Sequence, residues 1–413
     1  MHRSRFWWVI IVFLVLIDLY FFQALRLIGA GMPSLTRTIV YSVYWFLSVT
    51  AMAGWIYLPY MHFEKQAKMG RAKYFSILAG VFISKFIGAI FFLLNDIWRG
   101  FSWMLGNHEV SVPRSFIFSS IGLIAAGTLF LLLLYGFRNK YKYKVHKVKL
   151  RYDNLPEPFR GLKLVHISDI HSGSFTNKDA VQKGIDKILH QEPDLILFTG
   201  DLVNNVADEM KDYMDVFSQL KAPMGVYSTL GNHDYGDYLN WPSQAHKEEN
   251  LEKLKKVHEE LGWRLLMNEH VVLERENEKI VVIGIENWSA KARFTSYGDL
   301  KKAYEGAEGY PFKILMSHDP SHWRAEVLKS YKDIDLTLSG HTHGMQFGFE
   351  VPGIKWSPVR YVYREWAGLY LSGEDASSVR KNPQKLYINR GFGFIGYPGR
   401  VGILPEITVL EFH

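Results

Sequence analysis

Val165-His166-Ile167-Ser168-Asp169-Ile170-His171 is an apolar run that ends in a carboxylate and an imidazole two positions apart. Four later stretches repeat the pattern: Gly200-Asp201, Gly231-Asn232-His233-Asp234, Ser317-His318 and Gly340-His341-Thr342-His343. Each follows a short run of β type. In an open α/β sheet the carboxyl ends of the strands face one crevice, so residues distant in sequence converge there. The set gathered in this way is Asp, His, Asp, Asn and three further His, which is a metal-ligand set.

Composition separates two regions. Residues 1–149 hold 17 Lys+Arg against 4 Asp+Glu, and residues 150–413 hold 31 against 37. The net charge of +7 therefore comes from the N-terminal region, and the globular half offers no basic surplus of the kind nucleic-acid binding needs. No cysteine occurs, which excludes disulfides and thiolate ligands. A chain of 413 residues exceeds one ordinary core, so more than one structural unit is expected.

Four apolar stretches, about 6–28, 38–61, 73–94 and 115–137, are long enough to cross a hydrocarbon core as helices. The basic start Arg3 and Arg5 suggests a signal peptide, but the run behind it is too long for one and further spans follow, so it reads as an uncleaved helix. Basic residues concentrate at Arg3 and Arg5, at Lys65, Lys68, Arg71 and Lys73, and over 138–149, all on one side of a four-span topology. That predicts a cytoplasmic globular half, at the inner membrane in a bacterium. Asp18 and Lys85 fall in mid-span, where a lone charge is costly, and are expected to meet as a structural pair or as part of an ion path. Residues 138–149, with six basic side chains, read as a juxtamembrane linker that either touches anionic headgroups or only sets topology.

Residues 150–413 form the second predicted domain, with strands and helices in alternation. Strands are expected at 163–168, 194–199, 225–230, 264–267, 271–274, 280–285, 313–316, 336–339, 369–372, 386–389 and 407–412, and helices at 178–190, capped by Asn177, at 210–220 and at 247–261. This pattern is α/β: mixed sheets flanked by helices, behind an all-α transmembrane four-helix region.

Two divalent cations close together need a bridging ligand, and a carboxylate with two oxygens supplies one. Asp201 is the candidate bridge. Asp169, His171 and His343 complete one metal, and Asn232, His318 and His341 the other. Nitrogen and oxygen donors with several imidazoles suit Mn, Fe, Zn or Co better than Mg alone. Two such cations, two aspartates and a bridging hydroxide leave a positive site that attracts phosphate, with the hydroxide placed to attack phosphorus. His233 lies outside the ligand count and is the candidate for protonating the leaving oxygen. Asp234 either supports the site from behind or serves turn chemistry. His166, His190, His258, His270 and His322 read as structural.

Taken in order, D-x-H, G-D, G-N-H-D, a lone H and G-H-x-H, these blocks resemble those of the calcineurin-like metallophosphoesterases, and specifically the small bacterial phosphodiesterase-like branch. The closing Arg390-Gly391-Phe392-Gly393 and Pro405-Glu406-Ile407-Thr408 share the resemblance. It covers about residues 145–413 and implies a two-sheet sandwich with outer helices, two metals and the roles assigned above. Protein phosphatases of the superfamily carry a later Asp after the second block. Here Asn204 stands in that stretch, able to hydrogen-bond an imidazole but not to balance its charge, which argues against a phosphoprotein substrate.

The loop Trp356 to Trp366 gathers basic and aromatic residues; Arg360 and Arg364 are the candidates for binding substrate phosphate unless the loop is sheet-edge packing. Membrane spans on a phosphoesterase point to a lipid-linked phosphodiester or pyrophosphate. The alternatives are a soluble nucleotide substrate with the helices as anchor, and a non-catalytic metal-binding module of a membrane sensor.

Overall fold

The structure, a computed structural model, describes residues 2–57, 68–105, 114–373 and 383–413. It divides into two compact units, Met1–Phe137 and Arg138–His413.

The first unit is four helices: α1 (His2–Gly29), α2 (Ser34–Tyr57), α3 (Lys68–Met104) and α4 (Phe116–Gly136). Each carries a stretch apolar and long enough to cross a membrane. Apolar residues face outward as well as inward, with Leu16 57% and Ile124 68% exposed, as expected of helices solvated by hydrocarbon. Where α3 crosses α4, Gly88 and Gly122 let the backbones close up: a Cβ at Gly88 would sit 2.6 Å from the Gly122 carbonyl oxygen. The third helix runs beyond the expected 73–94. Asp96 is satisfied by Arg99 at 2.9 Å, by Arg114 and by the Tyr20 hydroxyl at 2.7 Å, so the helix continues through these charges. Residues 58–61 of the expected second span and Lys65 lie outside the described residues, as do the side chains of Arg3, Arg5 and Lys68.

Asp18 and Lys85 do meet. The ammonium contacts the carboxylate directly and donates to Ser48 Oγ at 2.6 Å, Ser48 donates to Asp18 at 3.2 Å, and Tyr44 donates to the Asp18 carbonyl at 2.8 Å. Both residues are buried within the helices, each one's charge balanced by the other.

The second unit begins earlier than the expected boundary at 150. The stretch read as a linker over 138–149 becomes, from Lys144, an edge strand, β1 (Lys144–Leu150), paired in parallel with the last strand of the chain. Its Lys144, Val145 and His146 alternate too weakly to signal a half-buried strand; tertiary pairing decides it. The others are β2 (Lys163–Ile167), β3 (Leu195–Phe198), β4 (Val226–Ser228), β5 (Arg264–Leu265), β6 (Glu269–Arg275), β7 (Glu278–Gly284), β8 (Lys313–Met316), β9 (Leu336–Ser339), β10 (Phe349–Val351), β11 (Ile354–Trp356), β12 (Gly368–Leu371), β13 (Lys385–Ile388) and β14 (Glu406–Phe412). One sheet has the order β1-β14-β2-β3-β4-β5 and the other β12-β13-β9-β8-β7-β6, with β10-β11 a separate hairpin. Both sheets are mixed.

Leu164 and Leu197 of the first sheet share one buried cluster with Ile314 and Leu338 of the second, so the sheets pack face to face. Helix α5 (Lys178–Leu189) buries Val181, Ile185 and Ile188 and is capped by Asn177, whose side chain accepts from Ala180 N at 2.9 Å. The helix expected over 210–220 is instead a 3-10 turn at Ala207–Tyr213 leading into the four-residue α6 (Met214–Phe217). In α7 (Gln244–Glu260) the buried face is Asn250, Leu254 and His258 rather than Leu251 and Val257, because Asn250 accepts from Ala207 N and donates to the Asn205 carbonyl.

Strands β2, β3 and β4 run parallel, as do β8 and β9. Their carboxyl ends carry the five polar blocks.

Candidate metal centre

The loops leaving these strands turn in an unusual way. Asp169, His171, Asp201, His341 and His343 all have left-handed backbone, with φ of 53°, 49°, 60°, 69° and 51°. They make up five of the eleven such non-glycine residues among those described. Each costs on the order of 1 kcal/mol, and strain gathered at one place is held there by its surroundings. The restraint is visible: Asp169 N donates to Gly200 O at 2.9 Å, His171 N to Asp201 O at 3.1 Å and Gly340 N to His318 O at 2.9 Å. Gly200, at φ +93°, has no room for a side chain, since a Cβ would strike the Gly231 backbone.

Asp234 ties two of the loops together. Its carboxylate accepts from Asp201 N and Leu202 N at 2.8 Å, Gly231 N at 2.9 Å and Val203 N at 3.2 Å. Burial and the Asp201 carboxylate push it up to about 7, against these four donors. These bonds join the Asp201 loop to the turn that carries Asp234, where Gly231 N is one of the donors, so the carboxylate serves its own turn and the loop behind the site together.

Seven side chains converge at the strand ends. His171 Nε2 and His343 Nε2 lie 3.0 Å apart, and His343 Nε2 is 3.2 Å from Asp169 Oδ1. Nearby, His318 Nε2 is 3.1 Å from Asp201 Oδ2, and His341 Nδ1 is 3.3 Å from His318 Nε2 and 2.8 Å from Asn232 Oδ1. Asp201 Oδ2 is also 3.6 Å from His171 Nε2, so one carboxylate oxygen stands between the two clusters. Asp169, His171 and His343 form one group whose donor atoms could hold a cation, and Asp201, His318 and His341 another.

The donor set fits cations. His318 Nδ1 lies 2.7 Å from the Thr199 carbonyl, which only accepts, so Nδ1 carries the proton and Nε2 turns towards Asp201. There a lone pair would face a carboxylate oxygen unless a proton or a metal lay between them. Burial opposes a charge on His318, but Asp201 and Asp169 more than offset it and push the imidazole up to about 10. Burial also raises Asp201, and His318 and His233 overcome it, holding the carboxylate well below its usual range. His171 is pushed down by burial. The site draws positive charge to a point walled by acceptors, as two divalent ions require.

His233 borders this cluster, its ring 4.9 Å from that of His171. Its Nδ1 donates to the Asn204 carbonyl at 2.8 Å, leaving Nε2 unprotonated in the neutral ring. This corrects the expected part of Asn204. Its backbone, not its side chain, meets the imidazole, while the side chain exchanges hydrogen bonds with Ser174 and Glu209 fixes the Asn204 amide at 2.6 Å. Arg360 and Arg364 are also displaced from their expected place. Both are exposed and neither lines the cleft; Arg364 lies 3.6 Å from Glu365. The rest of that loop is largely packing, with Val359, Tyr363 and Trp366 in one buried cluster with Ile403.

Three neighbours, Asp319, Tyr238 and Arg293, escaped the sequence reading, and Tyr363 was read only as part of the aromatic loop 356–366. Tyr363 OH lies 2.9 Å from His341 Nε2 and donates to Asp319 at 3.2 Å, so the nitrogen of His341 that faces away from Asn232 is oriented by a phenol and a carboxylate. Asp319 directly follows His318, and that adjacency was the available signal. Tyr238 accepts from Asn232 Nδ2 at 2.8 Å and sets its ring against His233, centroids 4.5 Å apart and planes tilted by 39°. The third, Arg293, belongs to no motif. It lines the cleft of about 260 Å³ above the cluster, together with Phe294, Tyr363 and Val362.

Residues 162–345 match the family model "Calcineurin-like phosphoesterase", and residues 3–140 match "Probable Calcineurin-like phosphoesterase, transmembrane domain". The chain is similar to a zebrafish (Danio rerio) protein described as "Transmembrane protein with metallophosphoesterase domain", 29% identical over 343 residues, 81% of this chain and 71% of that one. It is similar also to the Bacillus subtilis "Uncharacterized metallophosphoesterase YkoQ", 29% identical over 282 residues, 67% of this chain and 92% of the relative. Among solved structures, the Haemophilus influenzae NAD nucleotidase superposes with a TM-score of 0.38 and 17% identity over 56% of this chain and 45% of the other, too loose a likeness to speak to substrate. With a calcineurin-like phosphoesterase domain behind four helices long and apolar enough to cross a membrane, each part matched by its own family model, the chain is a membrane-associated metallophosphoesterase.

Proposed function

We propose that the protein hydrolyses a phosphodiester or pyrophosphate bond in a lipid-linked substrate, with its catalytic unit on the cytoplasmic side. The observation that supports this most is the placement of Asp201 Oδ2 between two donor clusters, 3.1 Å from His318 and 3.6 Å from His171. Asp169, His171 and His343 would hold one divalent ion, and Asn232, His318 and His341 the other, with Asp201 shared. Mn, Fe or Zn suits the mixture of imidazole and carboxylate donors. Such ions supply the positive charge that draws phosphoryl oxygens into the cleft and activates water.

The remaining work falls to the chain's own side chains. His233, with Nδ1–H on the Asn204 carbonyl, presents Nε2 beside the cluster and hands a proton to the departing oxygen after taking one up. Asp234 holds the Asp201 and Asn232 loops in register, which keeps the donors within the small tolerance that positioning demands. Tyr363 and Asp319 fix the tautomer of His341. The lipid-linked substrate follows from the four spans in the same chain, and the basic flanks of those spans support the cytoplasmic placement.

The test is an assay of the purified full-length protein, loaded with Mn, Fe or Zn, on lipid pyrophosphates, lipid phosphodiesters and soluble nucleotides side by side. Turnover of the lipids that disappears in Asp201→Ala and His233→Ala is expected. Turnover confined to detergent-free nucleotides would overturn the lipid assignment, and inertness with every metal would overturn the hydrolase reading itself.

A further inference from the structure

Enclosed cations elsewhere in the catalytic unit meet carboxylates or backbone carbonyls: Arg390 lies between Glu406 at 2.5 Å and Glu350, Lys247 on Asp237, Arg400 donates to the Gly393 carbonyl at 2.5 Å and Lys385 to the Arg151 carbonyl at 2.9 Å. Arg293 differs. It is an exposed residue at the cleft it lines, and among the described residues no carboxylate lies within ion-pair reach of it. Its guanidinium rests on the Phe294 ring, 4.6 Å from the centroid, and the Phe294 edge meets His341 at 4.7 Å. Its positive charge also bears on the Tyr363 hydroxyl, which lines the same cleft and lies 2.9 Å from His341 Nε2.

These contacts locate the charge. His341 turns Nδ1 towards Asn232 and His318 and Nε2 towards Tyr363, and Arg293 lies over Phe294, whose ring edge meets His341. The guanidinium therefore shares the cleft with the converging donors, with the Phe294 ring linking it to His341. A phosphoryl group held by cations at the donors has its charge met there, which leaves the guanidinium for a further anionic group of the same substrate. An unpaired planar fork beside an aromatic face is suited to a second phosphoryl group, which it can meet with two parallel N–H donors.

We infer that Arg293 grips the second phosphoryl group of a pyrophosphate diester, so that the substrate class is a disubstituted pyrophosphate rather than a simple phosphodiester. The inference rests on the hydrolase reading above. In the reaction, water adds to the inner phosphorus and the bond from that phosphorus to the bridging oxygen breaks. Two phosphomonoesters leave and the protons released pass to solvent. Arg293 stabilises the charge that accumulates on the departing monoester, an interaction that strengthens towards the transition state.

A matched pair of probes isolates the second phosphoryl group: dioctyl phosphate and P1,P2-dioctyl pyrophosphate, hydrolysed by the metal-loaded full-length protein. The expected result is a kcat/KM ratio favouring the pyrophosphate that falls about 10- to 100-fold in Arg293→Met and partly recovers in Arg293→Lys, where charge returns without the fork. Lys291→Met is the control. It removes an equal charge from the same loop, but Lys291 is already engaged with the Val362 carbonyl at 3.0 Å, and the ratio should hold. A ratio unmoved by Arg293→Met, or moved as far by Lys291→Met, overturns this assignment alone. A wild-type protein inert towards both esters overturns the hydrolase reading and this inference with it.

Discussion

The molecule buries charge in two places and resolves it in opposite ways. In the membrane unit Asp18 and Lys85 face each other, and Ser48 and Tyr44 take up the remaining hydrogen bonds, so the cluster is complete within itself. At the strand ends of the catalytic unit, two aspartates, an asparagine and four histidines converge with their acceptor atoms inward, and their charge calls for a cation from outside. Burial alone does not mark a functional site. What separates the two is whether the donors and acceptors close on one another or open on a common point in a cleft.

The comparison can be broken most decisively at Asp201. Its replacement by Ala removes the one carboxylate oxygen between the two clusters, and kcat/KM should fall by about 10³-fold or more, with metal content per chain measurably reduced. Full metal content and near-normal turnover in Asp201→Ala would show that the cluster is closed like the membrane pair. At Asp18 the expected loss is of stability. Asp18→Ala strands a buried ammonium and should cost about 3–5 kcal/mol in equilibrium unfolding, while the double replacement Asp18→Ala with Lys85→Met should recover most of it. A double variant as unstable as the single one would show that the pair does more than neutralise itself.

His233 sharpens the distinction between holding metal and moving protons. His233→Ala should lower kcat by about 10²- to 10⁴-fold while leaving metal content unchanged, and metal loss would place it among the ligands instead. The smallest effect is expected from Arg360→Ala and Arg364→Ala. Both side chains are exposed and neither lines the cleft, so kcat/KM should change by less than about twofold.

Legibility followed the range of the physics involved. Helix spans in the membrane unit and the five polar blocks could be read because hydrophobic length and strand-end position are local properties, and local patterns survive in sequence. Asp18 and Lys85 could be paired for a related reason: mid-span charge is so costly that a partner is almost obligatory. The edge strand over Lys144–Leu150 could not be read, because its residues pair with Glu406–Phe412 at the far end of the chain and have no strong preference of their own. Asn204 misled in the same way. Its residue type suggested a side-chain contact, and the fold used its carbonyl.

By itself the sequence determined four membrane-crossing helices, an α/β catalytic unit and the side chains that gather at its strand ends, since each follows from hydrophobic period, turn chemistry and residue type. Tertiary structure alone decided that Asp201 stands between two donor clusters, that five loop residues are held in left-handed backbone, that Asp234 binds two loops together, and that Arg293 rather than Arg360 or Arg364 faces the cleft. Those are properties of distance and direction between residues far apart in the chain. They arise only when two sheets pack and bring loops that share no sequence signal to one edge.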